Sequence, residues 1–240
     1  MRSEHAQRSP HPAPAPAPGS RPRPFLRLAL ALAAVLLFGL GITPKVRAAG
    51  TATSVRLLLP VESVRPGDSF LAGIEMTMKP GWHTYWRNGG DSGIATKIEW
   101  SLPPGLHAGA PRHPSPARYA DEDLVTYVHH GTAVLIVPFT VASNAPAGRA
   151  EISARVDWLE CEKQCLPGNG SIRGALTIGP ETTPSASAAA VAAAAARLPP
   201  PVPPGSATAT WDGPPLDSER RLLIHWKQPP PGGTPDFFSD

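Results

Sequence analysis

Residues 151–159 read Glu-Ile-Ser-Ala-Arg-Val-Asp-Trp-Leu, and this stretch decides the fold. Apolar or small side chains alternate with polar or charged ones, which is the pattern of a β-strand with one buried face. The opposite face carries Arg155, Asp157 and Leu159, and Cys161 follows in the same register. The strand is therefore predicted to end at a cysteine on its exposed side. The predicted core face carries Ile152, Ala154, Val156 and Trp158.

Similar short apolar runs lie on both sides of this stretch, separated by residues that favour turns. Clusters of Gly, Pro, Asn and Asp punctuate the chain between the runs, and no segment from 51 to 179 shows a sustained helical period. Several short strands spaced in this way indicate a β-sandwich. We therefore predict one all-β sandwich over residues 51–179. Its other predicted strands cover residues 54–59, 69–78, 96–100, 133–141 and 171–178.

The first 48 residues have the pattern of an export signal. Residues 1–24 are polar and contain four arginines, and residues 28–42 form an uncharged apolar run. A small residue, Ala48, follows at a position that a signal peptidase would accept, so we predict a signal peptide over residues 1–48. The alternative is an uncleaved N-terminal anchor, because residues 25–42 approach the length that spans a bilayer. Either interpretation places the rest of the chain outside the cytoplasm.

The C-terminal quarter changes composition twice. Residues 180–205 are rich in Pro and Ala, which predicts a linker. Its alanine run could form a transient helix, but the flanking prolines favour an extended spacer. Residues 206–240 regain a strand-like pattern with too little chain for a stable core. They predict the start of a second, incomplete β domain, and a disordered tail is the equal alternative.

Composition argues against several classes of function. The net charge is +3, and no basic stripe alternates with aromatic residues, so nucleic-acid binding is disfavoured. No Ser/His/Asp motif, paired-carboxylate motif or phosphate-binding glycine loop is present, so hydrolase and nucleotide functions lack support. No cofactor is predicted.

Two clusters invite a ligand-binding interpretation. Trp82, Tyr85 and Trp86 could stack on a flat ligand, but packing between the sheets is the favoured interpretation. Histidine and methionine suit copper ions, and His129-His130 with Met76 and Met78 supply both. Adjacent histidines of a strand point to opposite faces, however, so no metal site is predicted.

The chain has two cysteines, Cys161 and Cys165. In an oxidising compartment they can pair with one another if the chain turns between them. A bridge closing so short a loop stabilises by only about 2 kcal/mol, which makes it a weak staple. Glu160 and Glu162 are expected to raise the pKa of the neighbouring thiols, with Lys163 a partial offset. On the residues alone, a structural staple and a redox switch both remain open.

Three motifs, read together, favour the redox switch. Residues 80–93 read Pro-Gly-Trp-His-Thr-Tyr-Trp-Arg-Asn-Gly-Gly-Asp-Ser-Gly, residues 156–161 read Val-Asp-Trp-Leu-Glu-Cys, and residues 165–167 read Cys-Leu-Pro. With Thr-Lys-Ile-Glu-Trp at 96–100, they resemble the N-terminal periplasmic domain of the DsbD family of thiol:disulfide interchange proteins. Within that family they resemble the branch that includes the copper-tolerance relative ScsB. The resemblance runs from Val55 to Gly179. It implies an immunoglobulin-like fold and a reversible disulfide between Cys161 and Cys165, the two redox residues.

The resemblance also implies partners. In that family the domain takes electrons from a membrane-embedded thiol donor and passes them to periplasmic thioredoxin-like proteins. Better-known members have a wider cysteine spacing and a protective aromatic loop that has no residue-by-residue match here. The transmembrane core and the C-terminal thioredoxin-like domain have no counterpart in the sequence, so a separate donor or a longer protein is expected. The alternatives are a non-catalytic β-sandwich binding or scaffold module with a structural disulfide, and a periplasmic copper-tolerance protein.

Overall fold

The computed structural model describes residues 51–121, 123–200, 203–216, 219–227 and 238. The predicted signal peptide, residues 1–48, lies outside the described residues. Within them, no helix has the length and apolar character needed to cross a membrane. In chain order the strands are β1 Thr53–Leu58, β2 Val61–Val64, β3 Ser69–Met78, β4 His83–Gly90, β5 Lys97–Ser101, β6 Leu106–Ala108, β7 Ala117–Asp121, β8 Leu124–His130, β9 Thr132–Val141, β10 Gly148–Cys161, β11 Cys165–Ile178, β12 Thr183–Pro184, β13 Ala207–Leu216 and β14 Glu219–Trp226.

The strands from β1 to β12 form two sheets. The first sheet has the order β1-β3-β9-β6, and the second has the order β12-β2-β11-β10-β4-β8-β7. Strand β10 has β11 along one edge, and its other edge is shared by β5 and, at the Cys161 end, by β4. The long hairpin β10–β11 therefore lies at the centre of the second sheet.

The core lies between the two sheets. The side chains predicted for the core face of β10 are all buried there, and Phe70 and Phe139 of the first sheet stack with ring centroids 5.2 Å apart. Every strand predicted for residues 51–179 forms. Four of them keep their predicted bounds within one residue, whereas β10 begins three residues earlier and β11 six residues earlier than predicted. The prediction of an all-β, immunoglobulin-like β-sandwich is confirmed.

The linker prediction differs from the structure between residues 183 and 198. Residues Ala188–Ala195 form a regular helix, α1, rather than an extended spacer. Val191 and Leu198 are buried against Leu58 and Ile136 on the outer side of the first sheet. Alanine has the highest helix propensity, and these two apolar side chains supply the packing that a short helix needs in order to persist. The prolines at 199 and 200 only follow the helix, so they do not prevent it.

Strands β13 and β14 pair as an antiparallel hairpin. The strand-like pattern predicted from Ser206 is therefore present at Ala207–Leu216 and Glu219–Trp226. Whether the hairpin belongs to a second β domain stays a prediction.

Candidate functional site

The two cysteines form the last residue pair of the β10–β11 hairpin. Cys161 and Cys165 lie directly opposite each other, and the three-residue loop Glu162–Gln164 joins them. Opposed residues of antiparallel strands hold their Cα atoms about 4.5–5.5 Å apart, which matches the range that a disulfide requires. Both are free thiols in this structure, with Cys161 half-buried and Cys165 exposed. The hairpin itself therefore brings the two sulfur atoms together.

Strand β4 places the 80–93 motif beside the cysteines. His83 pairs with Cys161 on one side and with His130 of β8 on the other, so these residues continue the row that begins at Cys165. The His83 ring lies 5.0 Å from the ring of Tyr119. Burial, and then repulsion from His130, lowers the pKa of His83. His83 is therefore a neutral imidazole at physiological pH.

Tyr85 is the side chain of the motif that reaches a cysteine. Its hydroxyl lies 3.4 Å from the Cys165 sulfur and can form a hydrogen bond with it. Burial and the neighbouring thiols raise the pKa of Tyr85, so the phenol stays protonated. Gly93 has a φ of 108°, and a Cβ at that position would stand 2.0 Å from the Tyr85 ring. The second half of the motif therefore closes against the ring through a residue that must be glycine.

The environment of Cys161 disfavours its thiolate. Burial, and then the Cys165 thiol, raises the pKa of Cys161 to about 11, with a further contribution from Asp121 on β7 and an opposing one from the Tyr85 hydroxyl. For Cys161 the predicted rise in pKa is therefore right, but burial and the Cys165 thiol cause it rather than the neighbouring glutamates. The Glu160 carboxylate faces the core rather than the cysteines. Glu162 is likewise absent from the groups that shift the pKa of Cys161.

Glu160 is the residue near the site that the sequence analysis misjudged. It is 2% exposed, and its carboxylate accepts hydrogen bonds from the backbone N–H groups of Ala52 and Thr53 at 2.7 and 2.8 Å. The Trp158 indole N–H donates a third, at 3.0 Å. The alternation of β10 contains the signal, because Glu160 stands two residues after Trp158 on the predicted core face. A charged residue at a core position is an anomaly that calls for specific partners.

The residues considered for copper do not form one site. Thr96 and Thr84 hydroxyls donate to the sulfurs of Met76 and Met78, respectively. His129 is buried and lies against His113, whereas His130 is exposed on the other face. Among the described residues, no group of three or more His, Cys, Asp or Glu side chains is arranged to hold a metal ion.

Tyr85 and Trp86 are buried, as the packing interpretation of the motif predicts. Trp86 packs edge-to-face on Tyr127 of β8, whereas the Tyr85 hydroxyl contacts the Cys165 sulfur. Trp82 is only half-buried. The motif thus combines sheet packing with direct contact to a thiol.

The chain is similar to several solved structures at low sequence identity. The N-terminal periplasmic domain of ScsB from Proteus mirabilis is 18% identical, with a TM-score of 0.48 over 73% of this chain and 63% of that one. This chain therefore spans less than two thirds of the ScsB structure. A complex of the DsbD and PilB N-terminal domains from Neisseria meningitidis contains a chain that is 15% identical, with a TM-score of 0.29 over 52% of this chain and 88% of that one. The seventh ScaB type I cohesin of Pseudobacteroides cellulosolvens is 11% identical, with a TM-score of 0.34 over 54% of this chain and 93% of that one.

No curated protein sequence matches the chain. The family described as thiol:disulfide interchange protein DsbD, N-terminal, matches residues 55–176, just over half of the chain. That range contains most of both sheets of the sandwich, with β12 outside it, and it includes the 80–93 motif and both cysteines. The resemblance read from the motifs is therefore confirmed, and the chain belongs to the DsbD N-terminal family.

Proposed function

We propose that this protein is a thiol:disulfide exchange module that relays electrons through a reversible Cys161–Cys165 disulfide. The observation that carries the proposal is the pairing of the two cysteines at the open end of the β10–β11 hairpin, with one sulfur exposed. The family match supports a role in thiol:disulfide interchange. The hairpin supplies a pair of thiols that can close and open without moving the rest of the sandwich.

Exposure assigns different roles to the two cysteines. In the oxidised protein a thiolate of a reduced donor attacks the Cys165 sulfur, forming a mixed disulfide and releasing Cys161, which takes up a proton. A second donor thiol then attacks the mixed disulfide, so that the donor leaves oxidised and both cysteines remain as thiols. In the return step, the Cys165 thiolate attacks the disulfide of an acceptor, and Cys161 resolves the new mixed disulfide. Two electrons thus pass from donor to acceptor in each cycle.

The raised pKa of Cys161 makes the exchange depend on docking. With a pKa of about 11, Cys161 is almost fully protonated at neutral pH and therefore attacks disulfides slowly, and it is also a poor leaving group when Cys165 is attacked. A partner that covers the hairpin end and holds its own sulfur near Cys165 provides the proximity that overcomes this low reactivity. The site is therefore suited to specific partners rather than to indiscriminate reduction.

The partners in this proposal are a membrane-embedded thiol donor and thioredoxin-like acceptors outside the cytoplasm, with export directed by residues 1–48. The family match supports redox partners of this kind, because the family is that of thiol:disulfide interchange proteins. The chain would need no cofactor for the reaction, since the electrons reside in the two thiols.

The deciding experiment is an equilibrium titration of the purified protein against dithiothreitol and glutathione buffers, with thiol trapping. A relay requires a reduction potential well above about −300 mV, whereas a structural bridge lies below that value. A bridge that remains oxidised far below −300 mV would refute the relay and leave the binding or scaffold function.

The same protein tests the order of attack. The Cys161→Ala variant, which retains Cys165, is expected to trap a mixed disulfide with a thioredoxin-like partner. The Cys165→Ala variant is the matched control and should trap several-fold less, because Cys161 is half-buried and holds its proton. Equal trapping by the two variants would contradict the assigned roles.

A further inference from the structure

We propose that Glu160 is a positioning residue for the cysteine pair, and that it sets the reduction potential by tying the end of β10 to the first residues of the sandwich. The inference rests on the proposed function, because it concerns how readily the Cys161–Cys165 disulfide opens. The geometry that points to it is a buried carboxylate, adjacent in sequence to Cys161, that binds two backbone N–H groups of a segment more than 100 residues away.

The carboxylate is fully partnered by N–H donors. One oxygen accepts from Ala52, and the other accepts from Thr53 and from the indole of Trp158. Among the described residues, these three are its hydrogen-bond donors, and none of the ion pairs there includes Glu160. A single side chain thus joins the start of β1 to the end of β10, and also holds the Trp158 indole of the same strand.

A glutamate at this position does not maximise the free energy of unfolding. Removing a carboxylate from water carries a large desolvation cost, and apolar side chains of similar volume usually stabilise a core at least as well. What a carboxylate adds is direction, because its two oxygens accept short, charge-assisted hydrogen bonds along fixed lines. The position therefore favours an exact placement of the strand end over maximal burial of apolar surface.

That placement acts on the cysteines through the backbone. The residue before Cys161 is fixed from the core side by these hydrogen bonds, and its backbone pairs with Thr84 of β4. With the strand end held, the Cys161 sulfur stays opposite Cys165, which raises the effective concentration of one thiol at the other. A higher effective concentration favours the disulfide, so the anchor makes the bridge harder to reduce.

The first test is the substitution Glu160→Gln in the full chain. A carboxamide presents an NH₂ group to one of the N–H donors, so at least one hydrogen bond is replaced by a repulsive contact. We expect the equilibrium constant for reduction by dithiothreitol to rise about tenfold, equivalent to a potential about 30 mV higher. Urea unfolding of both redox states should show that the oxidised form loses more stability than the reduced form.

Two further variants separate positioning from charge. Glu162→Gln removes a carboxylate at the same distance along the chain from Cys161, but from the exposed loop, and should change the equilibrium constant less than twofold. Trp158→Phe keeps the charge and removes one of the three donors, so it should shift the constant in the same direction as Glu160→Gln by about threefold. If Glu160→Gln does not fold, the equilibrium constant of Trp158→Phe decides between a positioning role and a structural one.

A purely structural role for Glu160 predicts a different result. Both redox states would then lose equal stability, and the equilibrium constant would stay within twofold of the wild type, which would overturn the proposal. An equal shift in Glu162→Gln would also overturn it, by assigning the effect to charge. Failure of the proposed function is distinguishable, because the wild-type bridge itself would then resist reduction by dithiothreitol.

Discussion

At the scale of single residues, Tyr85 is the side chain that contacts the sulfur of the exposed cysteine. Its ring is buried between the strands, so the hydroxyl is the part of the side chain that touches the Cys165 sulfur. The same hydroxyl counteracts part of the rise in the pKa of Cys161. A phenol in this place can stabilise a developing thiolate without acting as a base, since its own proton is held.

The substitution Tyr85→Phe should slow alkylation of the reduced cysteine pair by iodoacetamide at pH 8 about fivefold. One hydrogen bond is worth about 1 kcal/mol, and its loss destabilises the thiolate that reacts with iodoacetamide. The rate is measured by mass spectrometry of each cysteine. Tyr127→Phe is the matched control, because Tyr127 packs on Trp86 and its substitution should leave both rates unchanged. A faster reaction in Tyr85→Phe would mean that the hydroxyl shields the sulfur rather than activates it.

The contribution of single residues was only partly predictable from sequence. The alternation of β10 correctly placed Cys161 on the less buried face, because strand periodicity is a local property. The contact between Tyr85 and Cys165 spans 80 residues of sequence and follows from the pairing of β4 with β10. No local pattern carries that information.

At the scale of elements, strand β8 places His129 against His113, which lies between β6 and β7. His129 stacks on His113 with ring centroids 5.9 Å apart, and each has a buried ring nitrogen without a hydrogen-bond partner. Burial lowers the pKa of both histidines to about 4, with added repulsion from Arg87 on His113 and from His113 and His130 on His129. The folded protein therefore holds both as neutral rings.

The free energy of unfolding should consequently fall as the pH drops from about 6.5 to 4. The two histidines take up protons near pH 6.5 in the unfolded chain but only near pH 4 in the folded chain. Their contribution to the free energy of unfolding is therefore fully present above about pH 6.5 and is lost as the pH falls towards 4. At about 1.4 kcal/mol per pKa unit, one such histidine accounts for roughly 3 kcal/mol. Urea unfolding at several pH values measures the slope. His129→Gln should flatten it, and His107→Gln, at an exposed position of β6, should not. An unchanged slope in His129→Gln would contradict this account.

Elements differ in how far their sequences reveal them. Strands β3, β9 and β10, and β11 from residue 171 onward, were predictable because each buries one face, so polar and apolar residues alternate or form short apolar runs. Strand β4 buries four successive residues, His83 to Trp86, and so carries no alternation. Its position between β10 and β8, covered on both faces, removes the pattern on which prediction depends.

At the scale of the whole molecule, the sandwich extends beyond the two sheets to helix α1. Ser185 donates a hydrogen bond to the Leu59 carbonyl just before the helix begins, and Val191 then covers Ile136. The composition of 180–205 predicted a linker because alanine and proline bury little surface on average. The packing of two apolar residues within that segment was decided by the distant strands they meet.

A chain covering residues 49–186, which retains β12 and lacks α1, should therefore be less stable than one covering 49–200. Removing Val191 and Leu198 exposes Leu58 and Ile136, and each buried aliphatic side chain is worth about 1.5–3 kcal/mol. We expect a difference of about 3 kcal/mol in the free energy of unfolding by urea, with the reduction potentials of the two chains unchanged. Equal urea midpoints would show that α1 contributes nothing to the sandwich.

The short loop between the cysteines also bears on how the protein matures. Because the chain has two cysteines and they close one hairpin, oxidation within a single chain has one possible product. Hairpins form within microseconds, far faster than thiols are oxidised, so the correct bridge needs no reshuffling by an isomerase. Formation of the Cys161–Cys165 bridge should be limited by the supply of oxidant, and incorrect bridges should arise only between chains.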